Sequence, residues 1–208
     1  MALTRQAKTL TDTQVRSLLR HVESETRHGT RNKVVVMLSF LCGLRAKEIV
    51  CAKWKMVTGT DGKVDGVLSL HNSASKGKNG GRTVPLPVPV QQALRVLHEQ
   101  ERQVGRGGAD DYIITFQQHS HDAAARSNSV RWLFKDWFSK LGLRGASSHS
   151  GRRSFATKAA REIGRFGGSL RDVQELLGHA SLSTTQKYLD TDARAQAKLV
   201  NNLWKSVE

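Results

Sequence analysis

Apolar residues recur along this chain at helical spacing far more often than at strand spacing. Val15, Leu18, Leu19 and Val22 fall on one helical face. Ahead of them, Thr11 and Gln14 have the spacing of a capping box, in which the hydroxyl takes an orphan amide and the glutamine reaches back. A second helix runs through the apolar block from Val34 to Leu41 and stops at Gly43, a natural C-cap. Helix resumes from Ala46 to Val50, so Arg45 stands at a break between two helices. The pattern then changes. Val64 to Leu70 and Arg82 to Leu86 read as strands, and the polar, Gly-rich stretch from Asn72 to Gly81 between them makes a hairpin. Pro85, Pro87 and Pro89 close it, and Pro89 suits the first turn of a helix carrying Val90, Ala93, Leu94 and Leu97.

The segment from Gly105 to Ser129 reads mostly as loop, with one apolar run at Tyr112 to Phe116. From Val130, the positions Leu133, Phe134, Trp137, Phe138 and Leu141 predict a strongly amphipathic helix. Ser147 and Ser148 precede another helix to about Gly164, and Leu170, Val173, Leu176 and Leu177 predict a short one ending at Gly178. A last apolar stripe, Leu199, Val200, Leu203, Trp204 and Val207, lies near the C-terminus, and no internal repeat is present. The expected fold is mainly α with a small antiparallel β-sheet, an α+β class.

With 208 residues, 38% of them hydrophobic and 25% charged, the chain suits one large globular domain or two small ones. No stretch reaches the ~18 uninterrupted apolar residues of a membrane span, and the N-terminus has no apolar run after its basic residues. Cys42 and Cys51 have neither disulfide-framework nor zinc spacing. A reduced, cytoplasmic protein with no membrane partner is the simple expectation. The charge is more informative: 33 Lys and Arg against 18 acids give a formal net charge of +15, beyond the ~2–8 that solubility requires. A polyanion partner follows, because each neutralised phosphate releases condensed counterions. On charge alone, an RNA-binding structural protein is an equal alternative.

Four polar islands stand at predicted element boundaries: the run from Gly43 to Glu48, Lys76 in the hairpin turn, His149 to Arg152, and Leu177 to His179 followed by Tyr188. Singly, each has an ordinary explanation, such as an i,i+3 ion pair of Arg45 with Glu48, a solvated turn lysine or a half-buried tyrosine. Together they have the types that phosphoryl transfer requires. A phosphodiester repels nucleophiles, and its developing charge must be stabilised. His119, His121 and Asp122 are candidate metal ligands but have no obvious further partner, so a metal-free solution from fixed cations is expected. Two arginines offer bidentate forks to phosphate oxygens, and a histidine adds a donor. A tyrosine is a reasonable nucleophile, since its phosphate ester conserves energy for resealing. A strongly basic departing 5′ oxygen needs a general acid, and Lys76 on a turn is a candidate for it.

This set, in this order, resembles the tyrosine recombinase or phage integrase family. The matching text is CGLRAKEI around Arg45, SKGKNGGRTVPLP around Lys76, SSHSGRRSFAT around His149 and Arg152, and LLGHASLSTTQKYLD from His179 to Tyr188, nine residues on. The resemblance covers roughly residues 10 to 195. It implies the family's catalytic-domain fold and a DNA strand transferase that passes through a 3′-phosphotyrosyl intermediate without cofactor, metal or ATP. By resemblance, Arg45 and Arg152 clamp the scissile phosphate, His149 assists proton transfer at Tyr188, Lys76 protonates the leaving 5′ hydroxyl and His179 hydrogen-bonds the phosphate. Glu48 matches a supporting acidic position that orients the first arginine or His149. Lys78 is the rival for the acid role, but the family's lysine matches Lys76. Lys78, Arg82 and Arg153 are candidate phosphate contacts.

Two departures stand out. The family's His-x-x-Arg motif usually carries leucine before the arginine, where this chain has Gly151; glycine lowers helix propensity by ~1 kcal/mol against alanine, so a looser Arg152 backbone is expected. Typical members also carry an N-terminal core-binding domain, whereas here the catalytic region begins near residue 10, so a single catalytic domain over residues 1–208 is expected, with 10–195 as its core. Residues 196–208 are expected to form a C-terminal helix that packs at home or docks on a neighbour. The family implies double-stranded DNA as partner and a homotetramer on it. The alternatives are a catalytically silent DNA-binding regulator derived from an integrase, and a nicking-closing enzyme like the type IB topoisomerases.

Overall fold

The computed structural model describes residues 7–71, 81–116, 122–179 and 181–186. Lys76, Lys78, His119, His121, Tyr188 and the C-terminal stripe lie outside these residues, as does the turn of the hairpin.

Helix α1 (Asp12–Ser24) starts at the expected box: Gln14 N donates to Thr11 Oγ1, and Thr11 N donates back to Gln14 Oε1. Helix α2 (Gly29–Phe40) begins five residues before the apolar block that reveals it, because its first turn is Gly, Thr, Arg and Asn and leaves no hydrophobic period. Val34 through Phe40 are all buried. A helix apolar on every side belongs in the middle of a core, and α2 is packed by α1, by α4 (Val88–Gln103) and by α6 (Ser150–Glu162). Helix α3 (Ala46–Cys51) packs on α5 (Ala123–Lys140). There Phe134 lies between Phe40, Trp137 and Phe138, with ring centroids 6.4, 5.4 and 5.5 Å away. Each large side chain so buried stabilises the fold by about 2 kcal/mol.

The loop expected up to Ser129 is shorter than predicted. Helix α5 begins at Ala123, and Asp122 caps it, accepting from the amides of Ala124 and Ala125 at 2.9 and 3.3 Å. The run AAARSNS has helix propensity but no apolar period, which hid it. The strands are likewise shorter: β1 (Val67–Leu70) pairs antiparallel with β2 (Arg82–Pro85), placing Leu70 opposite Arg82, while Val64 makes only an isolated bridge to Thr58. Helix α4 has Pro87 as N-cap and Pro89 in its first turn. Helices α7 (Leu170–Leu177) and α8 (Leu182–Gln186) follow α6; Ala156, Val173 and Leu177 form a second small core between α6 and α7. The observed class is the expected one, mainly helical with one small antiparallel sheet among the described residues. None of the described helices is long and apolar enough to cross a membrane.

Candidate active site

The C-terminal end of α2, the start of α6 and the end of α7 meet at one place, and glycines allow it. Gly43 turns the chain out of α2 with φ +68°, and a Cβ there would lie 2.5 Å from a ring carbon of Phe155 on α6. Its carbonyl accepts from Arg152 Nη1 at 2.7 Å. Gly151 sits where α6 presses on α2: a Cβ there would overlap Ser39 Oγ and stand 2.9 Å from Phe40 Cδ2. The glycine that was expected to loosen Arg152 therefore brings its helix into close contact. Arg152 itself is 5% exposed, and its Nη2 donates to the Leu177 carbonyl at the end of α7.

Glu48 lies at the centre. It occupies the third position of α3, where a carboxylate satisfies an orphan amide: Arg45 N donates to Oε2 at 2.8 Å. It is also 1% exposed and surrounded by guanidinium groups. Arg45 Nη1 donates to Oε1 at 2.9 Å, and Arg82 donates through Nη1 and Nη2 at 2.8 and 3.0 Å. Arg152 Nη1 stands 3.9 Å from Oε2. Burial pushes the Glu48 carboxyl upward, but the hydrogen bonds and charge of Arg82, the Arg45 amide and the charge of Arg152 hold it below the ordinary carboxylate range. An ionised, fully engaged carboxylate thus fixes cations from three separated chain segments.

Arg82, a candidate phosphate contact, has a side chain only 12% exposed, and besides Glu48 its Nε donates to the Leu176 carbonyl at 3.1 Å. The Arg82 guanidinium also passes over Gly178, where a Cβ would come within 2.8 Å of Nη1. Gly178 has left-handed geometry (φ 60°, ψ 48°) and ends α7 in a Schellman turn, His179 N donating to Gln174 O at 3.0 Å. Gln174 Nε2 in turn donates to the His179 carbonyl. The turn fixes His179 as a buried side chain, with Nδ1 2.9 Å from the hydroxyl of fully buried Thr185 on α8. Burial and the charges of Arg152, Arg45 and Arg82 push the His179 imidazole down to about 4, against a smaller upward pull from Glu48.

His149 begins α6, its amide donating to Ser147 Oγ at 3.3 Å and its side chain reaching solvent. Desolvation by neighbouring protein, and then the charges of Arg131, Arg152 and Arg45, lower its pKa from the ordinary 6.5. Arg153, the next cation on α6, is half-buried, and its Nε has no hydrogen-bond partner among the described residues. The structure thus gathers Arg45, Glu48, Arg152 and His179, with His149 within their field. Three participants were not singled out from the sequence in these roles. Arg82 was assigned outward rather than to Glu48. Arg131, on the exposed side of α5, has no local signal, since only tertiary packing brings its charge near His149. Thr185 was visible as part of the Ser/Thr-rich turn after His179, without a role.

Solved structures share this fold. A crystal structure of a XerA recombinase superposes with TM-score 0.67 over 96% of this chain and 66% of that one, at 21% identity. The XerH site-specific recombinase bound to its difH substrate, in a pre-cleavage complex, gives TM-score 0.70 over 99% of this chain and 56% of that one, at 22% identity. The fold is that of a tyrosine recombinase catalytic domain. Residues 8–194 match the phage integrase family, and the chain belongs to that family. Among its relatives, tyrosine recombinase XerC of Herpetosiphon aurantiacus is 34% identical over 185 residues, covering 87% of this chain and 55% of the relative. Tyrosine recombinase XerA of Pyrococcus furiosus is 29% identical over 205 residues, covering 94% of this chain and 64% of the relative. The chain thus spans a little over half the length of the relatives it matches.

Proposed function

We propose that this chain is a site-specific DNA recombinase or integrase that cleaves and rejoins strands through a 3′-phosphotyrosyl bond at Tyr188. Duplex DNA is its partner, and a homotetramer on two duplexes is its working assembly. The observation that carries the reading is the buried Glu48 carboxylate, which holds Arg45 and Arg82 and faces Arg152 across 3.9 Å. Three cations do not converge in a core without an anion to meet. One carboxylate leaves a net positive cluster suited to a phosphodiester.

In this reading Arg45 and Arg152 bind the non-bridging oxygens of the scissile phosphate. His179, pushed down to about 4, is neutral at physiological pH. If Nδ1 accepts the Thr185 hydroxyl proton, Nε2 carries the ring hydrogen and donates it to a phosphate oxygen. His149 is also held neutral by its lowered pKa and takes the Tyr188 phenolic proton as that oxygen attacks phosphorus. The bond from phosphorus to O5′ breaks, and Lys76 supplies the proton that leaves with the 5′ hydroxyl. Rejoining is the reverse, with the 5′ hydroxyl of a partner strand attacking the phosphotyrosine. No net bond energy is lost, so ATP is not required.

The test is a nicked suicide substrate that traps the covalent adduct. Wild type is expected to give a denaturant-resistant protein–DNA band, and Tyr188→Phe to bind duplex without giving one. Adduct formation by Tyr188→Phe would move the nucleophile elsewhere, and its absence from wild type would favour a silent DNA-binding protein.

A further inference from the structure

At the other end of α2 from the arginine cluster lies a cavity of about 940 Å³, lined by the N-terminus of α2, the end of α4, the stretch from Asp110 to Phe116 and Arg126 in the first turn of α5. Since α2 has 12 residues at ~1.5 Å each, some 18 Å separate the two ends. A ligand in the cavity is out of reach of the scissile phosphate.

The lining holds five cationic side chains: Arg27, Arg31, Lys53, Arg106 and Arg126. Its three carboxylates are already engaged, two of them by cations of the lining itself, Arg106 and Lys53. Glu101 accepts from Arg106 at 2.6 Å, Asp110 holds Lys53 and Lys55, and Asp111 accepts the amides of Gly107 and Gly108. Arg126 is left over. It is 6% exposed, its Nε has no hydrogen-bond partner among the described residues, and its guanidinium lies 3.6 Å from the centroid of the Tyr112 ring. Stacking on an aromatic face offsets only part of the cost of burying a charge. A buried guanidinium with its Nε–H unpaired is suited to an anion.

The same wall presents a second anion-binding feature. His28 precedes α2 without making a side-chain cap, and Gly29, Thr30 and Arg31 line the cavity. The N-terminus of α2, the positive end of its dipole, therefore borders the same space as Arg126. Arg31 is pinned beside them, donating to the Thr115 carbonyl at 3.0 Å and to Asn32 Oδ1. The cavity has the size of a small-molecule site, ~300–1,000 Å³, and the buried Arg126 lies in its wall.

We propose that this cavity binds a small phosphorylated ligand of nucleotide size, its phosphate held by Arg126 and the first turn of α2. The site is independent of the strand-transfer reaction proposed above.

Calorimetric titration of the 208-residue chain with adenosine 5′-monophosphate and with inorganic pyrophosphate tests this, with adenosine as the probe lacking phosphate. Both phosphorylated probes are expected to bind below about 1 mM, and adenosine not to bind. Arg126→Met is expected to weaken binding about thirtyfold or more, as loss of a buried charge partner does, while Arg45→Ala leaves it unchanged. Four results each overturn the proposal: no binding of either phosphorylated probe; equal affinity in Arg126→Met; loss in Arg45→Ala alone, which assigns the anion to the catalytic cluster; or Arg126→Met weakening duplex binding with nucleotide binding intact, which assigns it to DNA. Should circular dichroism show Arg126→Met unfolded, the more exposed Lys53→Met decides. It is expected to weaken binding by about threefold, and unchanged affinity there overturns the proposal.

Discussion

Arg82 meets Glu48 fork to fork, with Nη1 2.8 Å from Oε1 and Nη2 3.0 Å from Oε2, and its Nε ties both to the end of α7. A strand, the start of α3 and the turn that positions His179 are thereby joined through one guanidinium. Arg82→Lys keeps the charge but loses the planar fork and the link to Leu176. It is expected to destabilise the fold by about 1.5–3 kcal/mol in urea denaturation, as losing hydrogen bonds to a buried charged group does. It is also expected to slow adduct formation while leaving the salt dependence of duplex binding unchanged. A phosphate contact would behave otherwise, reducing that salt slope by about one. A reduced slope with normal stability would return Arg82 to the DNA.

The approach of α6 to α2 predicts a steep response at Gly151. A Cβ there would overlap Ser39 Oγ, so Gly151→Ala is expected to cost about 1–3 kcal/mol despite alanine's better helix propensity. Ser39 Oγ is buried with no hydrogen-bond partner among the described residues, so Ser39→Ala alone should be nearly neutral. In the double variant it should recover part of the loss. Thermal denaturation of the two single variants and the double measures this coupling, and strict additivity would show that the two positions do not press on each other.

Gly151 also shows which parts of the site were legible in the chain. Periodicity located the helices that bury a face, and it failed where a helix begins in polar residues, at Gly29 and Ala123. That Arg45, Glu48, Arg152 and His179 belong together was legible from the family resemblance, and the structure does bring these four side chains to one place. How those groups are held was not. A glycine before Arg152 looks like lost helix propensity in one dimension and is a helix contact in three. Arg82 looks like another surface cation until β2 is placed beside α7. Close approaches and buried charge networks depend on residues far apart in sequence, and no local pattern encodes them.

The lowered pKa of His149 has a definite sign. An imidazole must be neutral to accept the phenolic proton, and a pKa below 6.5 keeps it neutral to more acidic pH. After desolvation, the charge of Arg131 is the leading cause. Arg131→Gln should therefore raise the His149 pKa toward its ordinary value and move the acid limb of the single-turnover cleavage profile to higher pH. Arg131→Lys should leave the limb near its wild-type position. If both variants shift it alike, or neither does, His149 is not the group being titrated.

His179 makes stability depend on pH in the same range. Its folded-state value of about 4 lies below the 6.5 of an ordinary histidine, so the unfolded chain binds the extra proton between the two. The stability held by the neutral ring is fully present above about 6.5, falls as pH drops, and levels off below about 4. Glu48, also lowered, loses its contribution on further acidification through the carboxylate range. Urea midpoints measured at successive pH values should fall below pH ~6.5 in wild type, and His179→Gln should flatten that part of the curve. An unchanged slope in His179→Gln would place the acid sensitivity on other groups.

Lys76 stands in the hairpin segment beyond Leu70, whose strand partner is Arg82, and Arg82 is bound to Glu48 in the arginine cluster. The two strands thus bring Leu70 and Arg82, which flank that segment in sequence, beside the arginine cluster, where the proposed reaction needs a proton for the departing 5′ oxygen. Lys76→Ala is expected to abolish most cleavage of ordinary DNA, since an alkoxide is a poor leaving group without an acid. A 5′-bridging phosphorothiolate leaves as a thiolate and needs no proton. The same variant should therefore cleave that substrate at close to the wild-type rate, while Arg45→Ala and Arg152→Ala, which act on phosphate charge, should not be rescued. Lys78→Ala, the neighbouring lysine, should cleave both substrates alike. Failure of the phosphorothiolate to rescue Lys76→Ala, with rescue of Lys78→Ala instead, would transfer the acid role to the second lysine.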